Sequence, residues 1–303
     1  MRIRSSWMAG AAALCAVALP APSLAFTVFA CEPEWAALVR TFAPEAKVLV
    51  ATHPGQDPHH IEARPALIAQ LRSADLVVCT GAALEAGWLP TLQQRAGNAR
   101  AQEVFFAAAQ VALIDARPGA VATPWSGDVH AQGNPHLHTD PHRLRRIAKA
   151  LAERLQADWP ERRADIAQRH ASFDVRWAAR IADWERQAAP LRGQRVAAQH
   201  TSFGYLWAWL GMRQVADLEP KPGMPPTPGH LQSLLDPLRG EPPKAVVVAG
   251  YQDVRAGRWL TGQLGSAVPL VVLPATVAVD ADGAALMEWM DGVIHELLRA
   301  AAP

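Results

Sequence analysis

The sequence predicts an α/β fold with two lobes, each a mainly parallel sheet flanked by helices, joined by a long backbone helix. Short apolar runs rich in β-branched or aromatic residues alternate with amphipathic stretches in two separate series. Between the two series lies a segment whose apolar residues almost all have helical spacing. The chain also has 303 residues, more than one compact core usually holds.

The N-terminal series is predicted to form a lobe over residues 26–140. It contains four apolar runs with the composition of strands, separated by stretches with helical spacing. The strands are "FTVFAC", "AKVLVATH", "ADLVVCTG" and "EVFFAA", and two of the helices are "EPEWAALVRTF" and "PALIAQLRSA". Because strands alternate with helices, we expect parallel pairing through crossover connections.

Residues 141–190 are predicted to form the connecting helical segment. Pro160 interrupts its pattern, and a proline fits the first turn of a second helix better than the middle of one long helix. A mostly helical segment of this length would span roughly 70 Å at 1.5 Å per residue. This favours a rigid connecting spine over a flexible hinge.

The C-terminal series, over residues 191–303, repeats the alternation of strands and helices without a recognisable sequence repeat. Its strands are "QRVAAQH", "RQVADLE", "AVVVAG" and "PLVVLPATV". Its helices are "SFGYLWAWLG", "TPGHLQSLLDPLRG", "RAGRWLTGQLG" and "GAALMEWMDGVIHELLRAA". The pattern predicts a second lobe of the same class.

Residues 1–25 are predicted to be a cleaved signal peptide. Arg2 and Arg4 precede an apolar run that ends at a small-residue cleavage site before Phe26. We therefore expect a soluble, exported, periplasmic monomer. Without Arg2 and Arg4, 27 basic residues face 28 acidic ones, so the charge gives no indication of a nucleic-acid partner.

Two cysteines remain in the predicted mature chain. Cys31 and Cys79 each close a predicted strand, so both would lie at the same carboxyl edge of one sheet. In an oxidising compartment such a pair tends to form a disulfide if the strands are neighbours. The alternative is a pair of buried free thiols.

The eleven histidines are clustered at places where binding residues collect in α/β folds. Three follow the second strand, four lie in a Gly- and Pro-rich loop at about 118–142, and His200 ends the first strand of the second series. Three imidazoles and a carboxylate complete a tetrahedral Zn²⁺ shell, with Asp280 as the carboxylate and Asp282 as its rival. A single histidine at a strand end is more often a hydrogen-bonded loop residue, but several converging on one cleft favour a metal site.

Several motifs together resemble the metal-binding (cluster A-I) solute-binding proteins of zinc and manganese ABC importers. The motifs are "GQDPHHIEARP", "ADLVVCTGAALE", "GNPHLHTDP", "AAQHTSFGYLWAWLG" and "EPKPGMPPTPGHL", which together span most of the mature chain. The resemblance implies two α/β lobes, one metal ion in the cleft between them, and delivery of that ion to a membrane permease.

The resemblance also implies the ligands. They are His59, His136 and His200. For the fourth ligand, "LPATVAVDADG" departs from the family's glycine-containing form, and Asp280 is preferred over Asp282 because it lies closer to the end of the predicted strand. A histidine at the third place favours zinc, whereas relatives that prefer manganese often carry glutamate there. Four further residues are candidate accessory ligands: His60, His130, His138 and Asp282.

We expect different roles for the accessory candidates. His138 replaces the family's usual tryptophan, so an assisting or alternative role is open, and His60 either points elsewhere or supports the shell. His130, with His138, resembles a modest form of the histidine-rich loop that captures metal in zinc-binding relatives. A solvated loop with incidental histidines is the alternative for these positions.

Three other functions compete with zinc import. A zinc hydrolase is disfavoured because the chain has no H-E-x-x-H or G-x-S-x-G motif, so we do not expect an enzyme. A manganese-binding homologue and a periplasmic metal chaperone or storage protein stay open. A periplasmic metallochaperone is likewise a candidate partner beside the ABC permease.

Overall fold

The computed structural model describes residues 26–116, 128 and 130–302. The predicted signal peptide, residues 1–25, lies outside the described residues, as do residues 118–127 and 129 of the predicted loop. None of the helices in the described part of the chain is both long and apolar enough to cross a membrane.

The N-terminal sheet has four parallel strands in the order β2-β1-β3-β4. In the middle of this sheet, Ala30 lies beside Val50 on one side and Val78 on the other. The strands are β1 Thr27–Ala30, β2 Lys47–Val50, β3 Leu76–Cys79 and β4 Val104–Phe106, and the helices are α1 Pro33–Phe42, α2 Pro65–Arg72 and α3 Leu89–Ala96.

Two helices, α4 (Pro141–Asp158) and α5 (Arg163–Gln187), follow the N-terminal sheet. They pack side by side in opposite directions: the Trp177 indole N–H donates to the Pro141 carbonyl at 2.9 Å, and Arg145 pairs with Asp174. The expected 70 Å spine therefore does not form.

The reversal of direction occurs at Pro160, which begins the 3₁₀ turn Pro160–Arg162 between α4 and α5. Proline cannot donate the next helical hydrogen bond, so α4 ends before it. The long helix that links the lobes is α5, whose 25 residues span about 38 Å.

The C-terminal sheet has the order β6-β5-β7-β8, again fully parallel. Its strands are β5 Arg195–Ala198, β6 Arg213–Asp217, β7 Ala245–Ala249 and β8 Leu270–Leu273, and its helices are α6 Gly204–Leu210, α7 Pro228–Gly240, α8 Arg255–Leu264 and α9 Gly283–Ala301. The two lobes thus share one topology although their sequences show no repeat, and the predicted fold class is confirmed.

One hydrophobic core runs through both lobes. Inward side chains such as Val28 of β1 and Val196 of β5 belong to a single cluster with the apolar faces of α4, α5 and α9. Alternate side chains, such as Phe29 and Ala197, point the other way into two smaller cores, one on the outer face of each sheet. Because the central core is continuous, opening the lobes widely would expose apolar surface.

A disulfide joins Cys31 and Cys79, whose Cα atoms are 4.8 Å apart, as predicted. Cys31 directly follows β1, Cys79 closes the neighbouring β3, and the Cys31 amide donates to the Val78 carbonyl at 2.8 Å. The bridge is buried and closes a loop with a sequence separation of 48 residues. The disulfide therefore links the carboxyl ends of β1 and β3, next to the loop that follows β2.

Replacing both Cys31 and Cys79 with alanine is expected to lower the free energy of unfolding by about 4 kcal/mol, because the unfolded chain loses the constraint of the closed loop. Urea denaturation of the oxidised wild type and the double variant measures the difference. The wild type treated with a reductant should lose a similar amount. A loss below about 1 kcal/mol in both comparisons would contradict the structural role of the bridge.

Candidate metal centre

Three buried histidines converge where the two lobes meet. One ring nitrogen each of His59, His136 and His200 lies within 4.8 Å of the other two. His59 lies in the loop after β2, His136 just before α4, and His200 just after β5. Two of them therefore follow the carboxyl ends of parallel strands, where α/β folds collect their ligands.

His59 is oriented by Asp57. The carboxylate Oδ1 of Asp57 accepts a hydrogen bond from His59 Nδ1 at 2.7 Å and another from the His59 amide at 3.0 Å. Burial opposes ionisation of this carboxyl, but the hydrogen bonds from His59 outweigh it and lower the pKa of Asp57. The ionised carboxylate holds the His59 proton on Nδ1, so Nε2 presents its lone pair.

His200 is oriented in the same way by Glu219. Its Nδ1 lies 2.9 Å from Oε2 of Glu219, and its amide donates to Oδ1 of Asp217 at 3.0 Å. His200 has φ of 65°, a left-handed conformation that non-glycine residues adopt at a cost of about 1–3 kcal/mol. Burial lowers the pKa of His200, but the hydrogen bond and charge of Glu219 outweigh this and raise it.

His136 is held by Asn134. The Asn134 side chain accepts from the His136 amide at 2.9 Å and donates to the Thr201 carbonyl at 2.9 Å, which connects this segment to the residue after His200. Gly133 has φ of 129°, and a Cβ there would lie 2.6 Å from Leu113 Cβ, so only glycine fits this approach.

Burial, followed by the neighbouring His59 and His200, holds the pKa of His136 well below its usual value. His136 is therefore neutral, and its ring keeps a lone pair. Within the described part of the chain, the Nε2 atoms of His136 and His200 are buried and have no hydrogen-bond partner. A buried polar atom without a partner costs about 1–3 kcal/mol. A cation bound between the rings would satisfy both atoms at once, so these residues fit a metal ion.

The predicted carboxylate ligand does not join the three histidines. Asp280 is exposed, and Arg40 is the cation it faces. Its rival Asp282 caps α9, with Oδ1 accepting from the amides of Ala284 and Ala285. Among the residues that the structure describes, no carboxylate belongs to the group of ligand atoms formed by the three rings.

The structure brings one accessory candidate close to the group and leaves another outside it. His60 is exposed, and its nearest acid is Asp128 at 3.9 Å. His130 lies with Nε2 3.1 Å from Nε2 of His59, and its Nδ1 is 3.0 Å from the Ala82 carbonyl. Burial, followed by the charges of nearby histidines, lowers the pKa of His130 to about 4.

His138 is directed elsewhere. Its Nε2 lies 2.8 Å from the Ala275 carbonyl in the loop after β8, and its Nδ1 lies 3.3 Å from Glu34 of α1. Thr276 Oγ1 also donates to Glu34. The ring thus connects the two lobes, and both of its nitrogens have partners other than the metal group.

Replacing His138 with alanine is expected to lower the free energy of unfolding by about 2 kcal/mol, because the buried Glu34 carboxyl and the Ala275 carbonyl would both lose their partner. Zinc stoichiometry should not change. Urea denaturation and a zinc titration measure the two quantities. His142, exposed and paired with Glu185, provides the matched control, and its alanine variant should lose under about 1 kcal/mol. Loss of zinc binding in the His138 variant would instead assign it to the metal shell.

A cleft of about 760 Å³ opens beside His59 and His200. Its walls include His59 and His200 together with the acidic side chains Asp57, Asp128 and Glu219. Negative charge along a cleft raises the local concentration of cations. The cleft therefore concentrates cations beside the His59 and His200 rings.

Sequence reasoning missed the two orienting carboxylates, although both left a signal. Asp57 stands two residues before His59 in "DPHH", the spacing at which an Asp side chain bonds the backbone two residues on. Glu219 ends the predicted strand "RQVADLE" and so lies at the same sheet edge as His200.

A comparison with known proteins identifies a family that matches this chain. The model of the family described as "Zinc-uptake complex component A periplasmic" (ZnuA) matches residues 28–300. The zinc-binding lipoprotein AdcA of Streptococcus pneumoniae serotype 4 is 22% identical over 60% of this chain and 36% of its own. A putative metal-binding protein of Thermotoga maritima is 26% identical over 56% of this chain and 55% of its own. This chain therefore aligns with about a third to a half of the length of these relatives.

Solved structures share the fold. A crystal structure of ZnuA superposes with a TM-score of 0.77 at 19% identity, covering 92% of this chain and 100% of that one. The solute-binding protein FpvC of Pseudomonas aeruginosa, in complex with Mn²⁺, gives 0.76 at 21% identity, covering 91% and 98%. Because the family model matches nearly the whole described chain, this protein belongs to the ZnuA family, the periplasmic component A of zinc-uptake complexes.

Proposed function

We propose that this protein captures one Zn²⁺ ion in the cleft between its lobes and delivers it to the permease of an ABC importer. The observation that carries the proposal is the group of three buried histidines, His59, His136 and His200, whose ring nitrogens lie within 4.8 Å of one another. Neutral imidazoles are common ligands of Zn²⁺. The ion is cargo, so it must be held firmly and later released.

The choice of zinc is supported by the side chains rather than by the fold. Proteins of this fold have been crystallised with zinc, Mn²⁺, Ni²⁺ or Cd bound. Imidazole nitrogen suits Zn²⁺, whereas Mn²⁺ prefers carboxylate, carbonyl and water oxygens. The name of the relative AdcA also describes a zinc-binding protein.

Charge balance supports a doubly charged cargo. Three neutral imidazoles contribute no charge, and Asp57 and Glu219, on the remote nitrogens of His59 and His200, contribute two negative charges. These two carboxylates would therefore neutralise a divalent cation bound by the rings. Because these carboxylates fix the tautomers of both rings, removing either one should lower zinc affinity about 10- to 100-fold.

The remaining parts of the proposal concern partners and compartment. ZnuA-family proteins work with the permease and ATPase components of ABC importers. We extend this to the present chain, with the periplasm as its compartment, a monomeric state, no catalytic activity and, as a second partner, a periplasmic metallochaperone. A closed shell suits holding and release, whereas a catalytic zinc keeps a position open for water.

The test is a competition titration of purified, chelator-treated protein with Zn²⁺ and Mn²⁺. We expect one Zn²⁺ per chain and an affinity for Zn²⁺ at least about 100-fold higher than for Mn²⁺, because the affinity order of divalent ions places Mn²⁺ lowest and imidazole favours Zn²⁺. Equal competition by Mn²⁺ would support the manganese-binding alternative, and failure to bind either ion would refute the proposal.

Delivery needs a second experiment, because storage and chaperoning would give the same titration. Vesicles carrying the cognate permease and ATPase should accumulate zinc when the zinc-loaded protein and ATP are supplied. Free zinc at the same total concentration, buffered by a chelator, is the control. Uptake that does not depend on the protein would leave storage or chaperoning as its function.

A further inference from the structure

The group of three histidines does not explain the position of His130. Its Nε2 points at Nε2 of His59 across 3.1 Å, and its other nitrogen faces the Ala82 carbonyl at 3.0 Å. We propose that His130 is a fourth imidazole ligand of the same cation, so that the shell is four nitrogens rather than three nitrogens and a carboxylate. This inference rests on the proposed function and adds the composition of the shell.

The partners of the two rings carry the argument. A carbonyl oxygen can only accept, so His130 Nδ1 must bear a hydrogen to bond with Ala82. The carboxylate of Asp57 imposes the same tautomer on His59. The remote nitrogens of both rings are therefore engaged by other partners, and the two Nε2 atoms face each other at 3.1 Å. At that distance a cation, either a proton or a metal ion, lies between the two nitrogens.

The distance agrees with a shared zinc ion. Two ligands at the usual Zn–N length of about 2.0–2.1 Å, in a tetrahedral arrangement, are roughly 3.3–3.4 Å apart. The separation of 3.1 Å between His59 and His130 is close to that value. His130 stands outside the group of three that lies within 4.8 Å, so closing the shell involves a rotation of its ring toward His136 and His200.

No carboxylate oxygen of the described residues belongs to the group formed by the three rings. Asp280 faces Arg40, and Asp282 caps α9. Asp57 and Glu219 are near, but each already accepts from the remote nitrogen of a ligand ring. A fourth neutral imidazole keeps the charge of the shell unchanged. It also makes the shell all-nitrogen, which disfavours Mn²⁺ further.

The experiment compares zinc-loaded wild type with the His130→Ala, His130→Gln and Asp280→Ala variants by X-ray absorption at the zinc edge and by competition titration. Wild type and Asp280→Ala should show four imidazoles and equal affinity. The two His130 variants should show three imidazoles and an affinity lower by about 100- to 1000-fold, with one zinc per chain retained. The matched control is His295→Ala on the exposed face of α9.

The outcomes separate this inference from the proposed function. If the His130 variants keep four imidazoles, or bind zinc as tightly as wild type, His130 is not a ligand although zinc binding stands. A loss of one oxygen ligand and of affinity in Asp280→Ala would also overturn the inference. Wild type that binds no zinc would refute the proposed function itself. Circular dichroism confirms that each variant is folded.

Discussion

Replacing His200 with alanine is expected to lower the affinity for Zn²⁺ about 100- to 1000-fold. Apparent binding free energies of about 10–16 kcal/mol for four-ligand zinc sites correspond to roughly 2.5–4 kcal/mol per ligand. His200 is also the ring that Glu219 orients, so its loss leaves that buried carboxylate without the partner that lies 2.9 Å away. Mn²⁺ binding should fall less, so most of the selectivity for zinc should be lost.

The conformation of His200 requires a second variant. Its φ of 65° is left-handed, where alanine is strained but asparagine is tolerated. His200→Asn should therefore fold like wild type and still lose zinc affinity to a similar extent, because a neutral amide is a poor zinc ligand. His295→Ala, on the exposed side of α9, is the control and should bind zinc normally. Normal zinc affinity in His200→Asn would remove His200 from the shell.

The architecture was predictable because it depends on patterns that extend over many residues. Alternation of apolar runs with helical stretches determines a parallel α/β lobe wherever it occurs. The neighbouring positions of Cys31 and Cys79 followed from the same rule, since both residues end strands of one sheet. The antiparallel packing of α4 on α5 was missed, since a helical period shows which face is apolar but not which helix covers it.

The convergence of the three central histidines could be predicted because each belongs to a motif beside a recognisable element. The position of the carboxylate candidates could not, because Asp280 follows β8 by several residues, and a loop of that length can lead in many directions. In the structure, Asp282 satisfies the first amides of α9, and this capping fixes where the loop ends. The hydrogen bonds of Asp282 therefore hold the rival candidate at the start of α9, a position that its spacing from the strand did not indicate.

The continuous core also constrains how zinc leaves. Apolar side chains from both sheets meet α4, α5 and α9 in one cluster, and His138 joins Glu34 of α1 to the loop after β8. A wide separation of the lobes would expose that cluster and break the buried pair. Local rearrangement of the rings and their loops is therefore a less costly route for release than a hinge motion of whole lobes.

Acidification is expected to weaken zinc binding through His200 in particular. Glu219 raises the pKa of His200 above its ordinary value despite burial, so His200 is the ring that takes up a proton as the pH falls. A protonated imidazole cannot bind zinc. Below its pKa, each pH unit therefore costs about tenfold in affinity. Even an ordinary pKa of about 6.5 would give roughly a 30-fold loss between pH 7.5 and pH 5.0, and the raised pKa makes the loss larger.

Two of the other rings, His136 and His130, should not contribute to this pH dependence. Burial and neighbouring histidines hold the pKa of His136 well below its usual value and that of His130 at about 4, so neither competes with zinc by taking up a proton near pH 5–7. Competition titrations at pH 5.0, 6.0, 6.5 and 7.5 measure the slope. His200→Asn, which retains the other rings, should bind more weakly but show a flatter slope. Equal wild-type affinity at pH 5.0 and pH 7.5 would mean that no protonatable imidazole holds the ion.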